Sequence, residues 1–169
     1  MRIIMDRYVL SALVQNHAGV LSRVSGLFSR RGYNIDSLTV GETQEPGVSR
    51  MTIVVRGDEA TIEQIQKQLE KLVEVGAVRR LDSGKAVYRE LALIKVSATH
   101  QNRSDILQIA NVFRARIVDV SAEVLTVEVT GDQEKVDGLI ELLQPYGIRE
   151  LARTGIAALE RGNLQLSLI

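Results

Sequence analysis

A hydrophobic pattern that switches between period two and period 3.6, twice over, constrains this chain more than any other feature. Residues 8–14 (YVLSALV) read as a buried strand. Val20, Leu21, Val24, Leu27 and Phe28 then fall on one face of a helix, which Gly32 stops. Residues 34–41 and 50–56 read as two further strands, joined by a turn at 43–48 with Pro46-Gly47 as its breaker. In the later strand Met51, Ile53 and Val55 share one face. A second helix over 59–74 carries Ile62, Ile65, Leu69, Leu72 and Val73, and a short strand at 76–82 completes the order β-α-β-β-α-β.

The second half repeats that order. Residues 91–98 form a strand, and Ile106, Ile109, Ala110 and Phe113 mark a helix over 103–115. Strands at 117–121 and 124–130 follow, then a helix on Val136, Leu139, Ile140 and Leu143 that Pro145 and Gly147 close, then a strand at 148–153. The repeat shows in letters at one place: TIVVRGD at 52–58 and TVEVTGD at 126–132 each end a strand and open a helix. The fold class expected is α+β: two ferredoxin-like βαββαβ sandwiches in tandem, at 6–83 and 84–169, linked near Ser83-Gly84-Lys85. The chain's 169 residues suit two domains of about 80 each.

Such a unit lays two helices on one face of an antiparallel sheet and leaves the other face open. Segments such as YVLSALV and LALIKV are apolar on both faces. Left bare they would be sticky patches and unpaired edges. Cover by a second copy or another chain is therefore expected, with mutual cover of the two halves as the plainer alternative.

Composition removes most catalytic classes. Cysteine is absent, which excludes disulfides, Cys-ligated zinc, Fe–S clusters and thiol nucleophiles, and suits a cytoplasmic chain. The two histidines, His17 and His100, are 83 positions apart without a nearby acidic cluster, and read as surface or loop residues. No catalytic or metal-binding residues are expected. No two glycines are two residues apart, so GxGxxG cannot occur, and Gly84-Lys85 lacks the Walker spacing. Charge is balanced at 21 against 21, and locally too: residues 1–84 carry 11 positive and 10 negative side chains, residues 85–169 carry 10 and 11. That balance argues against nucleic acid and membrane partners. The strand RMTIVVR also lacks the aromatic residues on which RNA bases stack. The apolar start is broken by Asp6 and Arg7 before a signal-peptide core can form.

One local feature points to a ligand. In VQNHAGVL at 14–21 a strand ends, a polar turn follows, and a helix opens at Gly19-Val20. The first N–H groups of a helix are unpaired and carry the positive end of its dipole, a natural seat for a carboxylate. Gly19 puts no side chain in the way, and Asn16 is placed to cap the helix or to bind. The residues alone equally allow an ordinary N-cap and turn glycine.

The run NHAGVLSRVSGLFSRRGYNIDSLTVG at 16–41, followed by SRMTIVV at 49–55, resembles the ACT domain of the small regulatory subunits of acetolactate synthase (acetohydroxyacid synthase). RELALIKV at 89–96, FRARIVDV at 113–120 and RTGIAALERG at 153–162 resemble the C-terminal domain of the same subunits. The resemblance covers about residues 6–162. It implies an ACT domain at 6–83 and a homodimer through ACT domains. It implies a large catalytic subunit as partner, which carries thiamine diphosphate, Mg2+ and FAD, with no cofactor on this chain. The implied role is activation of that subunit and feedback inhibition by valine in branched-chain amino-acid biosynthesis. A free-standing ACT-type amino-acid sensor or transcription regulator is the alternative, though no helix-turn-helix or basic recognition helix is evident. By resemblance, the valine site comprises Asn16, His17, Ala18, Gly19, Val20 and Leu21 of one protomer and Asn34 and Ile35 of the other. The N–H groups near Gly19, Val20 and Leu21 would hold the carboxylate. The asparagine oxygens would accept from the ammonium group, and apolar neighbours would size the pocket. His17 has no assigned role.

Overall fold

The computed structural model describes residues 6–168. They form two compact units, one running to Val87 and resuming at Ile156, the other Tyr88–Gly155. This differs from the expected division at 83/84, because the last segment leaves the second unit and rejoins the first.

In the first unit the elements are β1 (Asp6–Gln15), α1 (Val20–Arg30), β2 (Ile35–Glu42), β3 (Val48–Gly57), α2 (Glu59–Glu70) and β4 (Val75–Leu81). The sheet is four-stranded in the order β2-β3-β1-β4, with every neighbour antiparallel. Register decides which side chains meet the helices. Leu10 opposes Ile53 and Ala12 opposes Met51, and all four are buried against Val24, Phe28, Ile62 and Ile65 in one core. The Phe28 ring meets Tyr33 edge-on, with ring centres 6.4 Å apart. Val20, Val24, Leu27 and Phe28 of α1, Ile62, Ile65 and Leu69 of α2, and Met51, Ile53 and Val55 of β3 lie on the expected faces; Leu21 is instead exposed, and α2 ends at Glu70, short of the expected 74, which leaves Leu72 and Val73 beyond the helix.

The opposite sheet face is not bare. Val9 pairs with Val54 and Leu81 across the strands, pointing away from the helices, and all three are buried, as is Leu13. The returning segment lies at β4: Glu160 accepts from Arg79 at 2.5 Å, Arg79 also donates to the Gln165 carbonyl at 3.3 Å, and Leu168 packs where a side chain on Gly76 would stand. Part of the cover expected from a second copy or another chain comes from this chain's own C-terminal end, which the strand periodicity of residues 8–14 could not show.

The second unit repeats the architecture with β5 (Ala86–Ser97), α3 (Arg103–Val112), β6 (Arg116–Val120), β7 (Val124–Gly131), α4 (Gln133–Leu143), a 3-10 turn at Gln144–Tyr146 and β8 (Ile148–Arg153). The strand order is β6-β7-β5-β8, and Ala92, Ile94, Val96, Leu125 and Val127 pack against Ile106, Leu139 and Leu143. A short β9 (Ala157–Glu160), absent from the expected elements, belongs to the segment that returns to the first unit.

The repeated letters now have a cause. Asp58 accepts from the Thr61 N–H at 2.8 Å and Asp132 from the Lys135 N–H at 2.9 Å, so each aspartate N-caps its helix. The preceding glycines are buried, and a Cβ on Gly131 would stand 2.5 Å from the Lys135 side chain. A side chain there would have to displace the flexible Lys135 chain, and one on Gly57 would press on Thr61 at 3.3 Å, so the strand-to-helix passage favours glycine at both places.

Candidate functional site

The start of α1 differs from that of the other helices. Its N-cap is Gly19, at φ +92° and ψ −15°, with no side-chain cap and no acidic residue in the first turn. Asp58 and Asp132 cap α2 and α4, and α3 carries Asp105 in its first turn. The first N–H groups of α1 are thus left without a carboxylate where their partial positive charge favours one. The Val20 N–H reaches the His17 carbonyl only at 3.5 Å, whereas the Arg23 N–H bonds Gly19 at 3.0 Å.

Asn16, His17, Ala18, Gly19 and Leu21 are exposed on one turn. Val20 is buried in the core, so only its backbone is available to a ligand. Asn16 does not cap α1, in contrast to the plain reading of the sequence. Its backbone N–H goes to the Gly47 carbonyl at 2.8 Å, and its side-chain amide donates to Glu42 Oε1 at 2.8 Å. His17 folds back on its own turn, with one ring nitrogen at the Ala18 carbonyl and the other at the Gln15 amide oxygen, each at 3.0 Å. It staples the end of β1 to the turn.

Asn34 and Ile35 lie at the far end of α1, which at eleven residues separates them from the turn by about 16 Å. One chain therefore does not bring the two groups together. Ile35 packs at the margin of the helix-side core, and Asn34 is exposed. The Asn34 amide donates to Asp36 Oδ1 at 3.3 Å. Asp36 in turn binds Arg56 at 2.6 Å and Arg7 at 3.4 Å.

Sequence reasoning missed Glu42 and Asp36. For Glu42 the available signal was period two, since Leu38, Val40 and Glu42 alternate along β2; a register shift between Ile35 and Ser37 breaks that period before Asp36, so no sequence signal placed Asp36. Among the described residues no group of three or more His, Cys, Asp or Glu is placed to hold a metal ion. No described helix is long and apolar enough to cross a membrane.

Comparison with known proteins gives two family matches. Residues 10–77 match the acetohydroxyacid synthase small-subunit-like ACT domain, and residues 89–162 match the small subunit of acetolactate synthase. A probable acetolactate synthase small subunit of Methanothermobacter thermautotrophicus is 55% identical over 159 residues, 94% of this chain and 95% of that one. The acetolactate synthase small subunit of Mycolicibacterium smegmatis is 51% identical over 155 residues, 92% of this chain and 91% of that one. The crystal structure of the acetolactate synthase small subunit from Thermotoga maritima superposes with a TM-score of 0.87 at 46% identity, covering 94% of this chain and 99% of that one.

Proposed function

The chain belongs to the small-subunit family of acetolactate synthase, and from that premise we propose that it confers valine feedback on a large catalytic subunit through a site completed by a second copy of itself. As a regulatory, non-catalytic subunit it leaves the chemistry to the large subunit, in the cytoplasm. Thiamine diphosphate, Mg2+ and FAD belong to that partner.

The observation that carries the valine reading is the uncapped, acid-free start of α1 beside Asn16. A carboxylate seated on those N–H groups meets the helix dipole, and the adjacent amide oxygen receives the ammonium group. Sheet order supports the two-copy site. β2 is an edge strand, and no other described strand of this chain lies beyond it. Antiparallel pairing of β2 with the β2 of a second copy about a two-fold axis sets the start of one strand against the end of the other. Asn34 precedes the start, and Asn16 is bonded to Glu42 at the end. The two groups that α1 holds apart within one chain then meet between chains. Leu21, exposed beside the N–H groups, is placed to limit the ligand's side chain.

Titration of a large subunit with this chain, with and without valine, tests the reading. The isolated chain makes no acetolactate, raises large-subunit activity, and makes it valine-sensitive. Failure to bind or stimulate the large subunit sinks the regulatory role. Calorimetry tests the site: Asn34→Ala weakens valine by about 1–3 kcal/mol, the cost of an unpaired buried polar partner. An unchanged affinity removes Asn34 from the site.

A further inference from the structure

We propose that Glu42 and Asp36 are positioning residues that lock both site asparagines as hydrogen-bond acceptors, so that the site selects an amino acid over the same acid without its amine. The inference rests on the valine reading above and adds the groups that set its selectivity.

An asparagine amide presents a donor at one end and an acceptor at the other, and a freely rotating one selects neither. Here the choice is forced by the neighbour. An ionised carboxylate only accepts, so the end of Asn16 that faces Glu42 Oε1 at 2.8 Å is its NH2 group. The same holds for Asn34, whose NH2 faces Asp36 Oδ1 at 3.3 Å. In both residues the carbonyl oxygen is turned away from the carboxylate. Two asparagines on different elements thus carry the same device. An ammonium group, which only donates, matches two such oxygens, whereas an uncharged carbon substituent leaves them desolvated and unpaired.

The two carboxylates are held differently. Asp36 has two guanidinium partners, Arg56 and Arg7, and its side chain is only 13% exposed, so its charge is neutralised and its geometry fixed. Glu42 is exposed, and among the described residues no cation forms an ion pair with it. Its contribution is then the bond to Asn16, with a longer-range attraction for the ammonium group beside it. Exposure also means that its substitution leaves the core intact.

Calorimetry on the full chain with valine and with 3-methylbutanoate, which keeps the carboxylate and the isopropyl group but lacks the amine, separates the roles. In Glu42→Ala, valine binding falls by about tenfold while 3-methylbutanoate binding is unchanged, so the preference between them collapses. Glu42→Gln still offers an acceptor to the Asn16 NH2 but also a donor to its oxygen, so the orientation is weakened rather than lost and valine binding stays within about threefold of the parent. Equal loss of both ligands in Glu42→Ala, or no loss of valine, overturns the positioning role. Loss in Glu42→Gln as large as in Glu42→Ala replaces positioning by simple charge attraction. If the parent chain binds no valine at all, the effector reading itself fails and this inference with it.

Discussion

Among the residues of the turn, Gly19 joins an unusual backbone to an open surface. Its φ of +92° lies where a Cβ is strained, yet no atom stands within 4 Å of where that Cβ would be. Backbone strain and ligand block are therefore separable at this position. Gly19→Ala brings strain and only a methyl group, whereas Gly19→Asp brings a carboxylate to the place reserved for the ligand's carboxylate, with a side chain that tolerates left-handed backbone better than alanine. The expected outcome is a crossed ranking: the alanine variant is the less stable on thermal denaturation, and the aspartate variant is the one that loses valine inhibition. A single ranking in both measurements ties the effect to strain alone. The turn from Asn16 to Leu21 was legible in sequence because a polar break before an apolar helical stripe is a local signal. Glu42 was not, because its bond to Asn16 spans 26 positions and depends on where β2 ends.

At the scale of elements, the helix starts divide by what occupies them. Asp58 and Asp132 satisfy the N–H groups of α2 and α4, and replacing Asp132 by alanine costs about 1 kcal/mol on chemical denaturation. The Thr61 hydroxyl and backbone N–H hold the Asp58 carboxyl below its ordinary value. A depressed carboxyl stabilises the fold above the unfolded value of about 3.9 and loses that contribution as pH falls through the folded value. Acid titration of the parent and of Asp58→Asn, which still caps but does not ionise, checks this: stability between about pH 4 and pH 2 falls more steeply in the parent. An equal slope removes Asp58 from the acid response. Both caps sat in the repeated Gly-Asp letters, and the helical stripes of α1 and α2 were equally readable from period 3.6. The early end of α2 was not. Leu72 and Val73 continue its apolar pattern, but Val73 is exposed and the chain has already turned towards β4.

For the whole molecule, the arrangement hidden from the sequence is the return of residues 156–168 to the first unit. Strand periodicity reports that a side chain points to one face, not what covers that face. Val9, Leu13, Val54 and Leu81 called for a cover, and a polar-looking end with scattered leucines supplies part of it. Between this segment and the sheet lies a cleft of about 600 Å3, lined by Leu13, Arg50, Leu81, Glu160 and Leu168, so the cover is anchored by a few contacts rather than close-packed. Arg50, held by burial below the ordinary guanidinium value, donates from this face to the fully buried Ser11 hydroxyl at 2.6 Å. A chain ending at Arg161 loses the Arg79 bond to Gln165 and the Leu168 packing at Gly76, while keeping the Arg79–Glu160 pair. With Leu166 half-buried and Leu164 and Leu168 exposed over about half their surface, the loss comes to about 1–2 kcal/mol. The truncated chain then unfolds at lower denaturant and binds a hydrophobic dye that the parent does not. Because every residue of the helix-side core remains, its far-ultraviolet dichroism stays close to that of the parent. Unchanged stability together with absent dye binding would mean that residues 162–168 do not protect the sheet face.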